Sequence, residues 1–295
     1  MSEADATQQE YPVLRGLPVD MCIFTVATES RKTPTDNIDK RTLKSYPDKH
    51  LELLLVKRIS DTEGNKWALP GGFTKIETET IDEAAIRELK EETNLDASVT
   101  QLRAKPVGDG IYLEQMKAYY KPGRDDRGPT PTVAYVALVH EALLANLHAG
   151  GDAGQARLFR VPENSAHPFV CHTENGTTTV DWSELAFDHA EIISDALKFV
   201  QNQILTTTIA ADLLPKEFTI AELHQVISAV VPSYGQMTTN FARDLLKTKT
   251  RNSMLKEALD EHGELKKSSQ YSARPAQLYR FNEEYEPWLS IYPRP

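Results

Sequence analysis

The sequence predicts an α/β domain joined by one long helix to a smaller unit of helices and short strands. Three observations predict it. Apolar runs of strand length are interleaved with a single well-capped helix before Asp188. Ile192, Ile193, Ala196, Leu197, Val200 and Ile204 then form an apolar stripe at helical spacing, which marks a helix of roughly 18 residues beginning near Asp188. After Leu213-Leu214-Pro215 a new unit starts, with its own helix-start signal and two strand-like pieces near its end.

The elements follow in order. Residues 1–15 are polar and read as a flexible N-terminus. Val19 to Val26 and Leu51 to Val56 are β-leaning apolar runs, and Ala27 to His50 between them reads as a polar surface excursion. Trp67 to Gly72 (WALPGG) is a strand end followed by a Pro-Gly turn. Thr80 and Glu83 have the spacing of a capping box, and the helix they open runs to about Asn94. Leu113 to Tyr120 and Thr132 to Val139 flank a turn-rich KPGRDDRGP segment and predict a hairpin. Ala156 to Val161, Pro168 to His172 and Thr177 to Trp182 are further strand-like pieces.

In the second unit, Thr219 and Glu222 form another capping box ahead of Ile220, Leu223, Val226, Ile227 and Val230. Pro232 to Gly235 breaks the chain. Thr238 or Thr239 is expected to cap a second helix carrying Phe241, Leu245 and Leu246. A third short helix is expected over Ser253 to Leu259, and short strands over Glu264 to Lys267 and Gln277 to Phe281. These signals divide the chain into 1–15, 16–186, a connecting helix over 187–212, and 213–295.

Composition bounds the function. The 295 residues carry 33 Lys+Arg against 43 Asp+Glu, with 40% hydrophobic and 26% charged residues, which excludes a disordered or fibrous chain. No apolar run approaches the roughly 18 residues that span a bilayer. MSEADATQQE lacks the basic start and apolar stretch of a signal peptide, so the expected location is cytoplasmic with no membrane partner. Cys22 and Cys171 both lie in apolar strand-like segments and read as buried thiols. Charge is uneven. Residues 216–295 hold 11 basic and 10 acidic residues, which leaves 22 and 33 for the rest, and residues 240–280 hold 9 and 5. An acidic front and a locally basic back predict two modules with different partners.

The chemistry concentrates after Gly71, in GGFTKIETETIDEAAIRELKEETNL. Glu88, Glu91 and Glu92 fall at i, i+3 and i+4, so all three are expected to project from one helical face. Like charges so placed repel by roughly 0.2–0.5 kcal/mol per pair, and a cation relieves them. Hard oxygen ligands suit Mg²⁺ or Mn²⁺. Ala85, Ile86, Leu89 and Thr93 are expected to pack on a sheet, and Arg87 to reach back to Glu79. A solvated acidic helix could carry the same glutamates, but the Gly-Gly loop, Glu79 and Arg87 set this one apart.

That combination closely resembles the signature of the Nudix hydrolases. Glu79, seven residues, then Arg87-Glu88-Leu89-Lys90-Glu91-Glu92-Thr93-Asn94-Leu95 fits the family pattern with two departures. Six residues rather than five separate Gly72 from Glu79, and Asn94 stands where the family usually has Gly. The resemblance implies an α/β/α sandwich with a mixed sheet. It implies a metal set of Gly72, through its carbonyl, with Glu88, Glu91 and Glu92, and supporting roles for Glu79 and Arg87. It further implies hydrolysis of a nucleoside diphosphate linked to another group.

Over the whole chain, LAFDHAEII, LLPKEFTIAELHQV, NFARDLL and RPAQLYRF resemble the Nudix-related transcriptional regulators and their ADP-ribose pyrophosphatase relatives. This implies a C-terminal winged helix-turn-helix, ADP-ribose or a related nucleotide as ligand, a homodimer, and a double-stranded DNA operator at NAD or sugar metabolism genes. The helix from Thr239 to about Lys247 would enter the major groove, with Asn240, Arg243 and Lys247 toward DNA and Lys249, Arg251, Lys266 and Lys267 near phosphates. Asp244 on the same helix opposes phosphate. Arg124 and Arg127 lie in a loop that either meets the ligand or is a charged surface turn. His189 either touches the ligand or caps and packs. Because Glu88, Glu91 and Glu92 are all kept, the expected function is a metal-dependent ADP-ribose pyrophosphohydrolase coupled to DNA binding; the alternative is a repressor that senses ADP-ribose with little or no hydrolysis.

Overall fold

The computed structural model describes residues 16–29, 47–59, 62–93, 111–144, 153–235, 237–246, 254–271 and 274–283. The expectations for residues 1–15, most of the 27–50 excursion, Asn94, Lys247, Lys249 and Arg251 lie outside the described residues.

The first module is built from β1 (Pro18–Thr28), β2 (Lys49–Arg58), β3 (Trp67–Ala68), β4 (Gly71–Phe73), α1 (Ile81–Thr93), β5 (Ile111–Tyr119), β6 (Thr132–Val139), β7 (Ala153–Arg160), β8 (Phe169–Thr173) and β9 (Gly176–Val180). Its sheet runs β5-β6-β1-β2-β7-β8-β9, with β3 added to β2 and β4 to β1. β1 and β6 are parallel, with Cys22 opposite Val136, while β1–β2, β2–β7 and the expected β5–β6 hairpin are antiparallel. The sheet is therefore mixed.

Its strands read as continuous apolar runs because both faces are covered. Side chains alternate with a period of two. Cys22, Phe24 and Val26 of β1, Leu51, Leu53 and Leu55 of β2, and Ala134, Val136 and Leu138 of β6 point to one face. Val19, Met21 and Ile23, with Leu54, and Val133, Tyr135 and Ala137 point to the other, where Ala84, Ala85 and Leu89 of α1 close the layer. Phe24, Leu53 and Leu138 have no solvent exposure, and burying each contributes about 1.5–3 kcal/mol.

The opposite face is covered by α2 (His189–Thr206), by the 3₁₀ turn Ile209–Leu213, and by α3 (Ile220–Val230) of the second module. Ile192, Ile193, Ala196, Val200 and Ile204 are the buried stripe of α2, as their spacing predicts. α3 starts at the Thr219–Glu222 capping box: the Thr219 amide donates to Glu222 Oε2 at 2.8 Å, and the Glu222 amide donates to Thr219 Oγ1 at 3.2 Å. Its buried Leu223, Val226, Ile227 and Val230 share one continuous core with Phe24, Leu53 and Val200. Gln225 Nε2 adds a hydrogen bond to the Pro47 carbonyl at 2.7 Å.

The second module continues with α4 (Thr238–Leu246), β10 (Leu255–Glu257), β11 (Lys267–Ser268), β12 (Ala276–Gln277) and β13 (Tyr279–Phe281). Two expectations are corrected here. Neither Thr238 nor Thr239 caps α4, because the amides of Asn240 and Phe241 both donate to the Met237 carbonyl and so place Met237 at the cap. Instead the Thr238 hydroxyl lies 3.2 Å from His224 Nδ1 on α3. The short helix expected over Ser253 to Leu259 is replaced by the strand β10, which pairs antiparallel with β13, Leu255 opposite Phe281. Leu255 and Ala258 are buried, and that long-range pairing satisfies the backbone in place of a local helix. Together α3, α4 and the two short ribbons form a winged helix-turn-helix.

Candidate functional site

The site is organised by the turn between β4 and α1. The Thr80 amide donates to Glu83 Oε2 at 2.7 Å and the Glu83 amide donates to Thr80 Oγ1 at 3.2 Å, which fixes where α1 begins. Gly71 and Gly72 are required by close approach. A Cβ on Gly71 would stand 2.1 Å from the Val19 carbonyl oxygen, and one on Gly72 would stand 2.1 Å from Glu88 Oε1. The extra residue between Gly72 and Glu79 is absorbed in a turn, where the Thr78 and Glu79 amides both donate to the Lys75 carbonyl, and Ile76 is left exposed.

Glu79 still reaches Arg87, as expected. Arg87 Nε donates to Glu79 Oε2 at 3.1 Å and Nη2 to Glu79 Oε1 at 2.8 Å, and Nη2 also donates to the Phe73 carbonyl at 3.1 Å. The Arg87 hydrogen bonds, helped by the Lys75 amide, pull the Glu79 carboxyl down to about 2. The guanidinium further donates through Nη1 to Glu88 Oε1 at 2.5 Å and lies 3.6 Å from Glu91 Oε2. Arg87 thus bridges the loop and the acidic helix.

The three glutamates are not equivalent. Glu88 and Glu92 are each 6% exposed and lie on the buried side of α1 beside Ala84, Ala85 and Leu89, whereas the Glu91 side chain is 49% exposed. Ala85, Leu89 and Thr93 are buried as expected, Ile86 packs half-buried at the edge of the same core, and Ala84 joins them. Burial raises the Glu88 carboxyl above its ordinary range, against the pull of Arg87, with Glu91 and Glu79 adding to the rise.

These donors fit a hard divalent cation in kind. They are carboxylate oxygens, two of the three are desolvated, and the Gly72 backbone lies directly against one of them. In this arrangement Arg87 supplies the compensating positive charge to Glu88, and among the described residues no three acidic, His or Cys side chains are gathered closely enough to ligate one ion.

The two loop arginines part ways. Arg124 is buried: its Nη2 donates to Asp188 Oδ1 at 2.7 Å, its Nε to Asp188 Oδ2 at 3.0 Å and its Nη1 to the Thr130 carbonyl at 3.0 Å, with Asp20 Oδ2 at 3.4 Å. His189 is also buried. Its Nδ1 accepts from the Leu69 amide at 2.8 Å, which puts the ring proton on Nε2, 3.5 Å from Asp20 Oδ1. It packs rather than reaching into an open site. Burial would raise the Asp20 carboxyl, but His189 and Arg124 outweigh it and hold it low. Arg127 instead lies at the Gly-Gly loop, its guanidinium 5.3 Å from the Phe73 ring centre and 5.8 Å from that of Phe187. Sequence reasoning missed Phe73 and Phe187. Phe187 has φ 52°, a left-handed conformation that costs a bulky residue about 1–2 kcal/mol. It turns the chain from the edge of β3 into α2.

In the winged helix, α4 buries Phe241 against Tyr234 and His224, and exposes Thr239 and Arg243 with Asn240 half-buried. Arg243 Nε also donates to Asp244 Oδ1 at 3.2 Å. Lys266, placed near phosphates by the sequence, pairs with Glu217, which also accepts from Arg280 Nη2 at 2.5 Å. A cavity of about 330 Å³ lies away from the acidic helix, between β2, residues 161–165, α2 and the end of α3. No described helix is long and apolar enough to cross a membrane.

Comparison with known proteins matches residues 46–170 to the NUDIX domain and residues 210–281 to the NrtR DNA-binding winged helix domain. The chain is 28% identical over 249 residues to the ADPR responsive transcriptional repressor NtrR of Acinetobacter baylyi, covering 83% of this chain and 82% of that protein. It is 28% identical over 190 residues to the ADP-ribose pyrophosphatase of Methanocaldococcus jannaschii, covering 60% of this chain and 92% of that protein. Among solved structures, a MutT/nudix family protein from Enterococcus faecalis matches with a TM-score of 0.61 and 25% identity, over 93% of this chain and 90% of that one. Residues 46–170 thus match a NUDIX domain and residues 210–281 a winged helix domain of the NrtR DNA-binding kind, in that order along the chain.

Proposed function

We propose that this protein is a cytoplasmic, homodimeric regulator that binds ADP-ribose or a related nucleoside diphosphate in its NUDIX domain and a double-stranded DNA operator with α4, controlling NAD or sugar metabolism genes. The observation that carries this reading is the shared core: α3 of the DNA-binding unit packs directly on the sheet whose other face carries the acidic helix. The sheet and α3 are thereby the packed elements between the ligand site and the recognition helix α4. In this reading Asn240 and Arg243 approach the groove, followed by Lys247, Lys249 and Arg251, and Arg127 approaches the ligand. Arg124 acts from beneath, by holding the loop to α2.

A second reading, hydrolysis of the ligand's pyrophosphate, is favoured by one observation: Glu88, Glu91 and Glu92 are all present on α1. Together with the Gly72 carbonyl they would hold Mg²⁺ or Mn²⁺, which when bound neutralises a pyrophosphate and lowers the pKa of water. Arg87 positions this set by fixing Glu79 and the Gly-Gly loop. Burial raises the Glu88 carboxyl above its ordinary range, and Arg87 Nη1 opposes that rise from 2.5 Å.

Two measurements test the pair. Promoter DNA of the protein's own operon is titrated by fluorescence anisotropy with and without ADP-ribose. ADP-ribose should shift the DNA affinity by about tenfold or more, and DNA should shift ADP-ribose affinity by the same factor. Arg243→Ala should reduce the log-log salt slope by about 0.9 for a lost phosphate contact. No binding to that DNA at about 50 mM salt removes the regulator. Separately, ADP-ribose and Mg²⁺ should yield AMP in the wild type and not in Glu92→Gln. Ligand uptake without AMP removes the hydrolase and leaves the sensor.

A further inference from the structure

The chain changes partners just before the Gly-Gly loop. β3 lies on β2, with Ala68 opposite Val56, and β4 lies on β1, with Gly71 opposite Asp20. Leu69 and Pro70 make the crossing between them, and both are buried. A buried backbone amide needs an acceptor. Pro70 has no N–H, and its carbonyl accepts from the Met21 amide at 2.8 Å. Leu69 therefore carries the one backbone donor of the crossing. That donor goes to His189 Nδ1 at 2.8 Å, on the first turn of α2.

His189 is itself held in place. It is 2% exposed, and its Nε2 faces Asp20 Oδ1 at 3.5 Å, while Asp20 Oδ2 lies 3.4 Å from Arg124 Nη2. A carboxylate beside Nε2 favours the tautomer whose Nδ1 is free to accept. The Ala186 amide donates to the Trp67 carbonyl at 2.9 Å, so the segment entering α2 runs beside β3 and brings the ring to Leu69. The Gly-Gly loop is thus held at both ends. Arg87 Nη2 takes the Phe73 carbonyl at its exit, at 3.1 Å, and His189 takes the Leu69 amide at its entry.

Resting on the divalent-cation reading above, we infer that His189 is a positioning residue for the Gly-Gly loop. By accepting the Leu69 N–H it fixes the crossing, and with it where the Gly72 backbone stands against Glu88. It acts from beneath the loop, through the backbone, and the acceptor at Nδ1 is the part of the ring that matters.

Two half-replacements in the full chain separate the two contacts of the ring. His189→Asn puts an amide oxygen where Nδ1 stood and keeps the Leu69 bond. His189→Gln puts an amide nitrogen where Nε2 stood and keeps only the Asp20 contact. Each loses one contact, so both variants should fold, which circular dichroism checks. Mn²⁺ uptake measured by calorimetry should weaken about tenfold or more in His189→Gln, the usual cost of losing a group that orients a metal ligand, and by less than about threefold in His189→Asn. Amide exchange over residues 65–74, followed by mass spectrometry, should quicken in His189→Gln alone. A role in packing only would lower the unfolding midpoint of both variants and leave Mn²⁺ affinity where it was, and that result overturns the inference. Equal loss of affinity in the two variants overturns it too, since the acceptor then makes no difference. If the wild type takes up no Mn²⁺, the cation reading falls, and exchange decides for His189. Faster exchange in His189→Gln alone keeps its hold on the loop, and equal exchange in the two variants overturns it.

Discussion

Replacing Arg124 by Met tests whether the buried ion pair at the start of α2 organises this fold. The Arg124 side chain is 4% exposed and that of Asp188 3%. Asp188 gives its carboxylate to Arg124 rather than to the helix it precedes, as no side-chain cap bond forms there. Methionine keeps the volume but leaves Asp188 and Asp20 inside the protein without their cation. Breaking a buried pair from one side costs about 3–5 kcal/mol. The Thr130 carbonyl also loses its donor, which adds about 1 kcal/mol. We expect a loss of about 4–6 kcal/mol, read as a lower urea midpoint at unchanged slope. Removing both charges with Arg124→Met and Asp188→Leu together should recover part of that, because the more deeply buried of the two carboxylates is then gone and Asp20 keeps His189 at 3.5 Å. A loss below about 1 kcal/mol in the single variant, or a double variant no better than the single, refutes the claim that charge compensation rather than side-chain volume is what Arg124 supplies.

The two glycines of the loop should respond differently to alanine. In Gly71→Ala the new Cβ meets the Val19 carbonyl, part of the backbone, so thermal stability should fall by several degrees. In Gly72→Ala it meets the Glu88 carboxylate, the end of a side chain rather than backbone, so the loss of stability should be smaller than in Gly71→Ala while Mg²⁺ or Mn²⁺ uptake measured by calorimetry drops at least tenfold; an unchanged metal affinity would separate Glu88 from the ligand set. Glu79→Gln should cost about 1 kcal/mol at neutral pH, typical of a solvent-reached pair. Because the folded carboxyl sits near 2 against an ordinary 4.5, that contribution is complete above pH 4.5 and fades as pH falls toward 2. Denaturation curves of wild type and variant that stay apart by the same amount at pH 2.5 and pH 7 would contradict the pairing.

What the sequence made legible follows from local physics. β1, β2 and β6 are apolar on both faces, so their runs stand out without alternation, and α1 and α3 announce themselves through capping boxes whose bonds are all within four residues. The Glu79–Arg87 clasp spans only eight positions. What stayed hidden depends on distant partners. Arg124 looks like part of a solvated turn until Asp188, 64 positions on, is brought beside it. Leu255 pairs with Phe281 across a ribbon, and nothing in the local spacing announces that strand. Glu88 and Glu92 look like surface charge because burial of a carboxylate is set by what lies opposite, here the Gly72 backbone for Glu88. Phe187 is a left-handed aromatic, which no composition rule anticipates.

The seating of α3 has one more implication. Val226 and Leu223 are shielded by strands and a helix contributed from the other side of the boundary, so the small interior around Phe241 and Phe218 is completed only by the first module. Severed at residue 210, it would carry an oily flank into water and clump with its own copies. Such a head cannot be transplanted onto an unrelated sensor without bringing its landing surface along, which ties the inheritance of the two halves together.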